Sequence, residues 1–335
     1  PLVLGALPCV ARALSRPVPP PLRLSGSGAA RPVLDAAGLR RWLAGSGVRV
    51  QNAHTKTTTE YYAKVIFLCA STLNSTWLML NSKSDRFPNG FGNDSDELGR
   101  NVMDHHLGVG AQADVEGHED RYYSGRRPNG IYIPRFRNIA DSRSKRNDFT
   151  RGYGYQGGAS RTGWQRLVAE MGFGKELKDD ISEPGPWTVG IGGFGEMLPY
   201  RDNRVTMNPD VKDIDGLPTL KFDVTIRQNE LNMRKDMQAS AEEMLSAAGF
   251  KNVRGFDRPY GVGLGIHEMG TARMGRDPKT SVLNGWGQVH AATNVYVTDG
   301  SFMASAACVN PSLTYLAITA RAADHAANAL KRGEL

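Results

Sequence analysis

The run Gly265-Ile-His-Glu-Met-Gly-Thr-Ala-Arg-Met-Gly275 sets one histidine, His267, among glycines and apolar side chains. Such surroundings tune an imidazole toward neutrality, and a neutral imidazole is the usual group for taking the proton of an alcohol. The same position would equally suit a hydrogen-bonded core histidine. Further on, Val295-Tyr-Val-Thr-Asp-Gly-Ser301 reads as a short strand ending in Asp299 and Gly300, one able to hydrogen-bond a ligand hydroxyl or nearby N–H groups, the other allowing close backbone approach. Asn310-Pro311-Ser312-Leu313-Thr314 reads as a helix start, with Asn310 as cap and Pro311 at the first helical position. A helix start offers free N–H groups and partial positive charge, suited to a phosphate or to a reduced, anionic flavin ring. His105-His106 is a competing pair, but adjacent residues of a strand or helix point in different directions and make a poor metal site by themselves. Neither a zinc-protease His-Glu-x-x-His nor a Gly-x-Ser-x-Gly elbow occurs.

The elements that must carry these groups begin at Gly47. Val48 and Val50 mark one strand, and Tyr62-Ala-Lys-Val-Ile-Phe-Leu-Cys69 predicts a second, buried one. Thr72 to Ser82 has helical apolar spacing, and strand, small residues, then helix is how a doubly wound α/β domain passes a ligand. Leu98 to His106 reads as a loop. Residues 108–115, 129–137, 187–198, 203–207 and 220–226 alternate as strands do. Asn229 to Ala248 predicts an amphipathic helix with Leu231, Met237, Met244 and Leu245 on its apolar face, stopped by Gly249. Pro311 to Lys331 predicts the last helix, with Ala317, Ala320, Ala323 and Ala327 as a small-residue stripe. The pattern is α+β: a partial α/β nucleotide-binding piece joined to a mainly antiparallel sheet with covering helices.

Composition narrows the classes. The chain has 335 residues, 40% hydrophobic and 22% charged, enough for about two domains of ordinary globular make-up. The net charge of +7 is dispersed, so it reads as a solvated surface rather than a nucleic-acid interface. No apolar run is long enough for a membrane span. Cys9, Cys69 and Cys308 lack Cys-x-x-Cys spacing, and the last two are expected to pack as small hydrophobes. The compartment, cytoplasmic or periplasmic, stays open. Residues 1–34 carry only arginine as charge, with Pro17-Val-Pro-Pro-Pro21 and Ser25-Gly-Ser-Gly28 as linker-like runs. Residues 1–46 are therefore expected to be a linker-like segment foreign to the rest.

Taken in order, His267-Glu-Met-Gly-Thr-Ala-Arg-Met-Gly275, Asp277-Pro, Ser281-Val, Asn294-Val-Tyr-Val-Thr-Asp-Gly-Ser301 and Asn310-Pro-Ser-Leu-Thr314 resemble the C-terminal block of the glucose–methanol–choline (GMC) oxidoreductases. Ala63 to Ser75 and Gly99-Arg-Asn-Val-Met-Asp-His105 resemble further segments of that family, so the likeness spans residues 47–335. The resemblance implies an FAD-dependent alcohol or sugar dehydrogenase or oxidase acting on a CH–OH group. In it, His267 takes the hydroxyl proton, the carbon-bound hydrogen passes as hydride to flavin N5, and Asn310 orients the substrate oxygen. It implies that Asn74, Ser75, Asp299, Gly300, Asn310 and Pro311 border the FAD, and that no metal takes part. It leaves the electron acceptor as oxygen, a quinone or a protein. Gln156, Glu196 and the Gly-rich run Gly190 to Gly195 are expected at the substrate, a sugar or polyol. The expected division is residues 47–107 as an FAD-binding remnant, 108–258 as substrate domain and 259–335 as catalytic and FAD-binding segment. The family opens with a strand, then Gly-x-Gly-x-x-Gly, then a helix, and no such strand–glycine–helix unit is found in this sequence. The chain is therefore expected to be a fragment with impaired flavin binding. The alternative is a non-catalytic remnant or a subunit completed by another chain.

Overall fold

A computed structural model describes residues 2–5, 30–33, 45–52, 54–120, 130–140, 142–161, 174–182, 185–258 and 261–335. Most of the segment 1–46, expected as linker-like, lies outside them; its described strands Leu2–Gly5 and Ala30–Val33 pair with Ile66–Cys69 and Gly47–Gln51 respectively. Among the described residues four sheets organise the chain, in an α+β arrangement as the sequence pattern implies.

The first sheet has the order Leu2–Gly5, Ile66–Cys69, Ala292–Val297, Gln288–Val289, with the first three strands parallel. Its central strands are apolar at successive positions because both faces are covered. Val65, Phe67 and Tyr296 pack on Ala322 and Ala326 of the terminal helix Ser312–Lys331. Ile66, Leu68, Val295 and Val297 join Met79 and Leu80 of the helix Thr72–Asn81, with Phe87 and Phe91. The expected strand Tyr62–Cys69 is in fact two: Thr58–Tyr62 pairs with Gly47–Gln51 in a separate small sheet, and Ile66–Cys69 enters the parallel one. The chain changes sheet between them, a boundary an unbroken apolar run conceals.

The second sheet is antiparallel, in the order Lys251–Asp257, Val109–Val115, Trp187–Glu196, Tyr153–Arg161, Gly130–Ile133. From Val189 onward, residues of odd number on Trp187–Glu196 are buried and those of even number are half-buried up to Phe194, as the two-residue period of a strand requires. The buried face, with Tyr153, Tyr155, Val189 and Ile191, packs against Met233, Met237, Ala241 and Leu245 of the helix Gln228–Ala247. Tyr155 donates its hydroxyl to the Met237 carbonyl at 2.5 Å. Leu231, expected on the apolar face of that helix, is exposed.

The segment Leu98–His106, expected as a loop, forms two short strands instead. Arg100–Met103 pairs with Met269–Thr271 and touches Arg204–Lys212, while His105–His106 pairs with Glu196 and Gly195 of the large sheet. Asp104 is the single residue between the two sheets. Among the described residues no helix is long and apolar enough to cross a membrane.

Candidate active site

The chain's change of sheet at Asp104 places three consecutive polar side chains in three different settings. Asp104 is buried and accepts backbone N–H groups from Gly263 at 3.0 Å, Gly265 at 2.8 Å and His105 at 2.7 Å. The N–H of His267 also acts on it, while burial raises its carboxyl pKa. The loop that carries His267 is thus wrapped around one carboxylate. A side chain at Gly265 would overlap the Asp104 carboxylate, so glycine is required there by contact rather than by turn geometry.

Across the register, His105 faces Glu196 and His106 faces Gly195, so the two rings leave the strand on opposite faces. His106 goes into the core, where its ring fills the space a Gly195 side chain would need. Desolvation and then Arg234 push its pKa down to about 3. His105 emerges on the other face and meets His267: the two Nδ1 atoms are 2.9 Å apart. Both rings lie edge-on or tilted against Phe194. Burial and then His267 depress the His105 pKa to about 4. His267 is half-buried, and desolvation lowers its pKa against the opposing influence of Asp104.

Asn310 reaches the same face from the segment that leads into the terminal helix. Its Oδ1 accepts a hydrogen bond from Gln156 Nε2 at 2.5 Å. In the register Gly154 faces Phe194 and Gln156 faces Gly192. Gln156 and Phe194 therefore share a face and stand two residue rows apart, about 7 Å along the strand. Asn310, held by Gln156, and His267, packed on Phe194, are both anchored on this wall, whose other positions include Gly158, Gly190 and Gly192. The expected cap changes. Pro311 is the residue flanking the helix, with its carbonyl accepting from Tyr315, and Asn310 makes no cap. Gln156 has taken the carboxamide oxygen that a cap would use.

The remaining expected residues fall into two groups. Asn74, Asn310 and the first turn of the terminal helix are exposed. Ser75, Asp299 and Glu196 are buried and already engaged. Ser75 donates to Asp299 at 2.5 Å, and Asp299 also accepts from the Ser301 N–H at 3.0 Å and hydroxyl at 2.5 Å. Desolvation raises the Asp299 pKa against those bonds. Glu196 faces Arg151 at 3.6 Å and Arg135 at 3.9 Å and receives the Ala307 N–H; Ala307 has a left-handed φ of 60°. Pro311 is buried. Gly300 is closely packed: a side chain there would overlap Thr72 Oγ1 and the Glu268 carbonyl and come within 2.8 Å of the Tyr315 hydroxyl. The expected alanine stripe Ala317, Ala320, Ala323, Ala327 faces outward, and Ala322, Ala326 and Ala329 make the buried one. Cys308 is buried, and Cys69 is half-buried against an apolar cluster, with its sulfur 3.1 Å from Thr298 Oγ1. Sequence reading set Asp104 within a family-like loop and singled out His105 only as half of a competing pair with His106. Their roles come from pairing with strands far along the chain, a relation that local pattern does not carry.

Comparison with known proteins follows this geometry. Residues 199–319 match the GMC oxidoreductase family model. The large subunit of fructose dehydrogenase from Gluconobacter japonicus is 33% identical over 275 residues, covering 81% of this chain and 48% of that protein. The 2-methyl-1,2-propanediol dehydrogenase of Mycolicibacterium austroafricanum is 30% identical over 289 residues, covering 84% of this chain and 50% of the relative. A formate oxidase variant from Aspergillus oryzae superposes with a TM-score of 0.58 at 14% identity, over 89% of this chain and 59% of that one. The chain spans about half the length of the curated relatives it matches.

Proposed function

Since the chain belongs to the GMC oxidoreductases, we propose that it carries the catalytic side of an FAD-dependent oxidation of a CH–OH group, with His267 and Asn310 acting on one hydroxyl. The observation that carries this reading is their common anchorage on the glycine-rich wall, through Phe194 and Gln156.

The two groups complement an alcohol. Gln156 engages the Asn310 oxygen, which leaves the Asn310 NH₂ to donate to the substrate oxygen. The His267 Nδ1 is engaged by His105, which leaves Nε2 to accept the hydroxyl proton. Desolvation keeps His267 below the ordinary imidazole range, so the base form prevails at neutral pH.

FAD, when bound, supplies the acceptor for the carbon-bound hydrogen and its electron pair. The residues present suit its ring. Gly300 packs against Thr72, the first residue of the helix Thr72–Asn81, and lies near the Tyr315 hydroxyl of the helix Ser312–Lys331, and helix starts favour an anionic group. Leu313, 78% exposed, and Leu316, 59% exposed, add apolar surface on the terminal helix. Pro311 and Gly300 shape this border. Asp299 and Ser75 support it from inside.

The substrate proposed is a sugar or polyol. Gln112, Tyr132 and Gln156 share the wall by register, glycines at 190 and 192 leave it open, and the two relatives are named for a ketose and a diol. The test is titration of the chain with FAD, followed by turnover of a sugar and polyol panel with an artificial electron acceptor. Stoichiometric flavin binding and turnover of a polyol support the reading; flavin binding without turnover of any alcohol contradicts it.

A second reading follows from Leu264, Ile266, Leu313 and Leu316, all exposed. In it the chain is a subunit whose site is completed when another chain covers these side chains. Failure of the isolated chain to bind FAD supports this second reading.

A further inference from the structure

We propose that His105 is the positioning residue of His267: its Nδ1 accepts the Nδ1–H of His267 and thereby reserves His267 Nε2 for the substrate proton. The proposal rests on the assignment of His267 as base and deepens it by fixing which tautomer each ring holds.

The geometry leaves two arrangements for a pair of neutral imidazoles joined Nδ1 to Nδ1 at 2.9 Å. Either His105 donates, and His267 is protonated at Nε2 and unable to accept there, or His267 donates and keeps its Nε2 lone pair. The surroundings of His105 decide between them. His105 is only 2% exposed. The Ala306 and Ala307 carbonyls act on the ring in the sense that favours a proton on it, and Nδ1 is the nitrogen taken up by His267. Carbonyls accept and do not donate, so the proton of His105 belongs on Nε2. That nitrogen is buried and makes no full hydrogen bond. Its Nδ1 is then a lone pair aimed at His267.

The arrangement stays fixed as His267 gains its proton. When the substrate O–H bond breaks and the Nε2–H bond forms, His267 becomes an imidazolium whose Nδ1–H still donates to His105. His105, itself hard to protonate in its buried setting, stays an acceptor throughout. The groups facing it are His267 from the 263–267 loop, Phe194 from the large sheet and the Ala306–Ala307 backbone. Asp104, its neighbour in sequence, turns its carboxylate to backbone N–H groups of the loop instead. Tautomer selection by a second group that engages the other ring nitrogen is a general device of histidine chemistry.

The test reads tautomers directly, in the full chain and without turnover. Two-dimensional NMR of ¹⁵N-histidine-labelled protein, assigned with His105→Asn and His267→Gln variants, reports which ring nitrogen carries hydrogen. The expected result is an Nε2–H tautomer for His105 and an Nδ1–H tautomer for His267. The reverse pair of tautomers overturns the proposal, whatever the flavin-loaded chain does. In the flavin-loaded chain, His105→Phe keeps a ring but removes the acceptor and is expected to lower kcat roughly 10- to 100-fold with KM little changed, the loss of one charge-assisted hydrogen bond. His105→Asn, which restores an acceptor oxygen, is expected to recover a substantial part. Equal loss in both variants overturns the proposal, as does full activity in His105→Phe. Tautomers as expected in a chain that turns over no alcohol would sink the oxidase or dehydrogenase reading while leaving the dyad intact.

Discussion

His105 and His106 are neighbours in the chain, yet one serves each face of the same sheet. The His106 face is closed by the helix Gln228–Ala247, and Tyr155, Ile191, Met233 and Met237 fill it almost without solvent. The His105 face is lined by glycines, with a few polar groups held by specific partners: His267 by His105, Asn310 by Gln156. The covered face is held by apolar burial, which is non-directional and tolerates rearrangement. The open face is held by single hydrogen bonds whose direction determines what chemistry is available. Changes on the two faces should therefore separate stability from turnover.

The largest separation is expected at His267→Ala. In the flavin-loaded chain it should lower turnover by about 10²–10⁴-fold, the range of a lost general base, while denaturant midpoint and flavin content stay near wild type. In the wild type, activity should rise with pH as His267 loses its proton. The midpoint should fall below the ordinary imidazole value because burial lowers its pKa. A flat acid limb would break the contrast between faces.

The opposite pattern is expected at Met237→Ala on the covered face. Met237 is fully buried, and its methyl lies where a Gly193 side chain would go. Truncation should cost about 2–5 kcal/mol in urea unfolding and alter kcat much less than His267→Ala does.

Acid should sharpen the comparison further. His105 and His106 have folded pKa values near 4 and 3, below that of a free imidazole. A base with a depressed folded pKa binds its proton more readily when unfolded, so stability is full above about pH 6.5 and is lost as pH falls toward the folded pKa values. Each ring contributes up to about 1.4 kcal/mol per pH unit in that window. Unfolding free energy measured from pH 7 to 4.5 should fall accordingly, and His106→Leu should remove about one proton from the slope. A slope unchanged by that substitution would mean His106 is not held neutral.

How much of this was legible in the sequence follows from the range of each signal. The helices Thr72–Asn81, Gln228–Ala247 and Ser312–Lys331 and most long strands lie within a few residues of where periodicity puts them, because amphipathic spacing is local. His267 and Asn310 stood out by motif, and Gln156 as a polar residue expected at the substrate beside the glycine-rich run Gly190 to Gly195. Asp104 did not, and His105 stood out only as a rival to His267 rather than its partner, since their partners at 263–267 lie some 160 positions away in the chain. Ser75 and Asp299 were visible as ligand-facing candidates, but the structure bonds them to each other, and only the three-dimensional pairing distinguishes a supporting carboxylate from one free to meet a ligand. Glu196 is a similar case, tied to the Ala307 backbone and two arginines.

The smallest expected effect lies in Gln156→Ala. It frees the Asn310 carboxamide to rotate but removes no group that touches the reacting hydrogen. A loss of about one net hydrogen bond, roughly fivefold to tenfold in kcat/KM, is expected, with KM for polyols carrying much of it. A loss as large as that of His267→Ala would place Gln156 in the chemistry itself.

The claim that His267 and Asn310 act on one hydroxyl is tested most directly by a double-mutant cycle. kcat/KM is measured for wild type, His267→Ala, Asn310→Ala and the double variant, at equal flavin content and on one polyol. Two groups on the same substrate oxygen should be coupled by at least about 1 kcal/mol, so the double variant should be little worse than His267→Ala alone. If the two losses simply multiply, the residues do not share a substrate atom, and the account of this site fails.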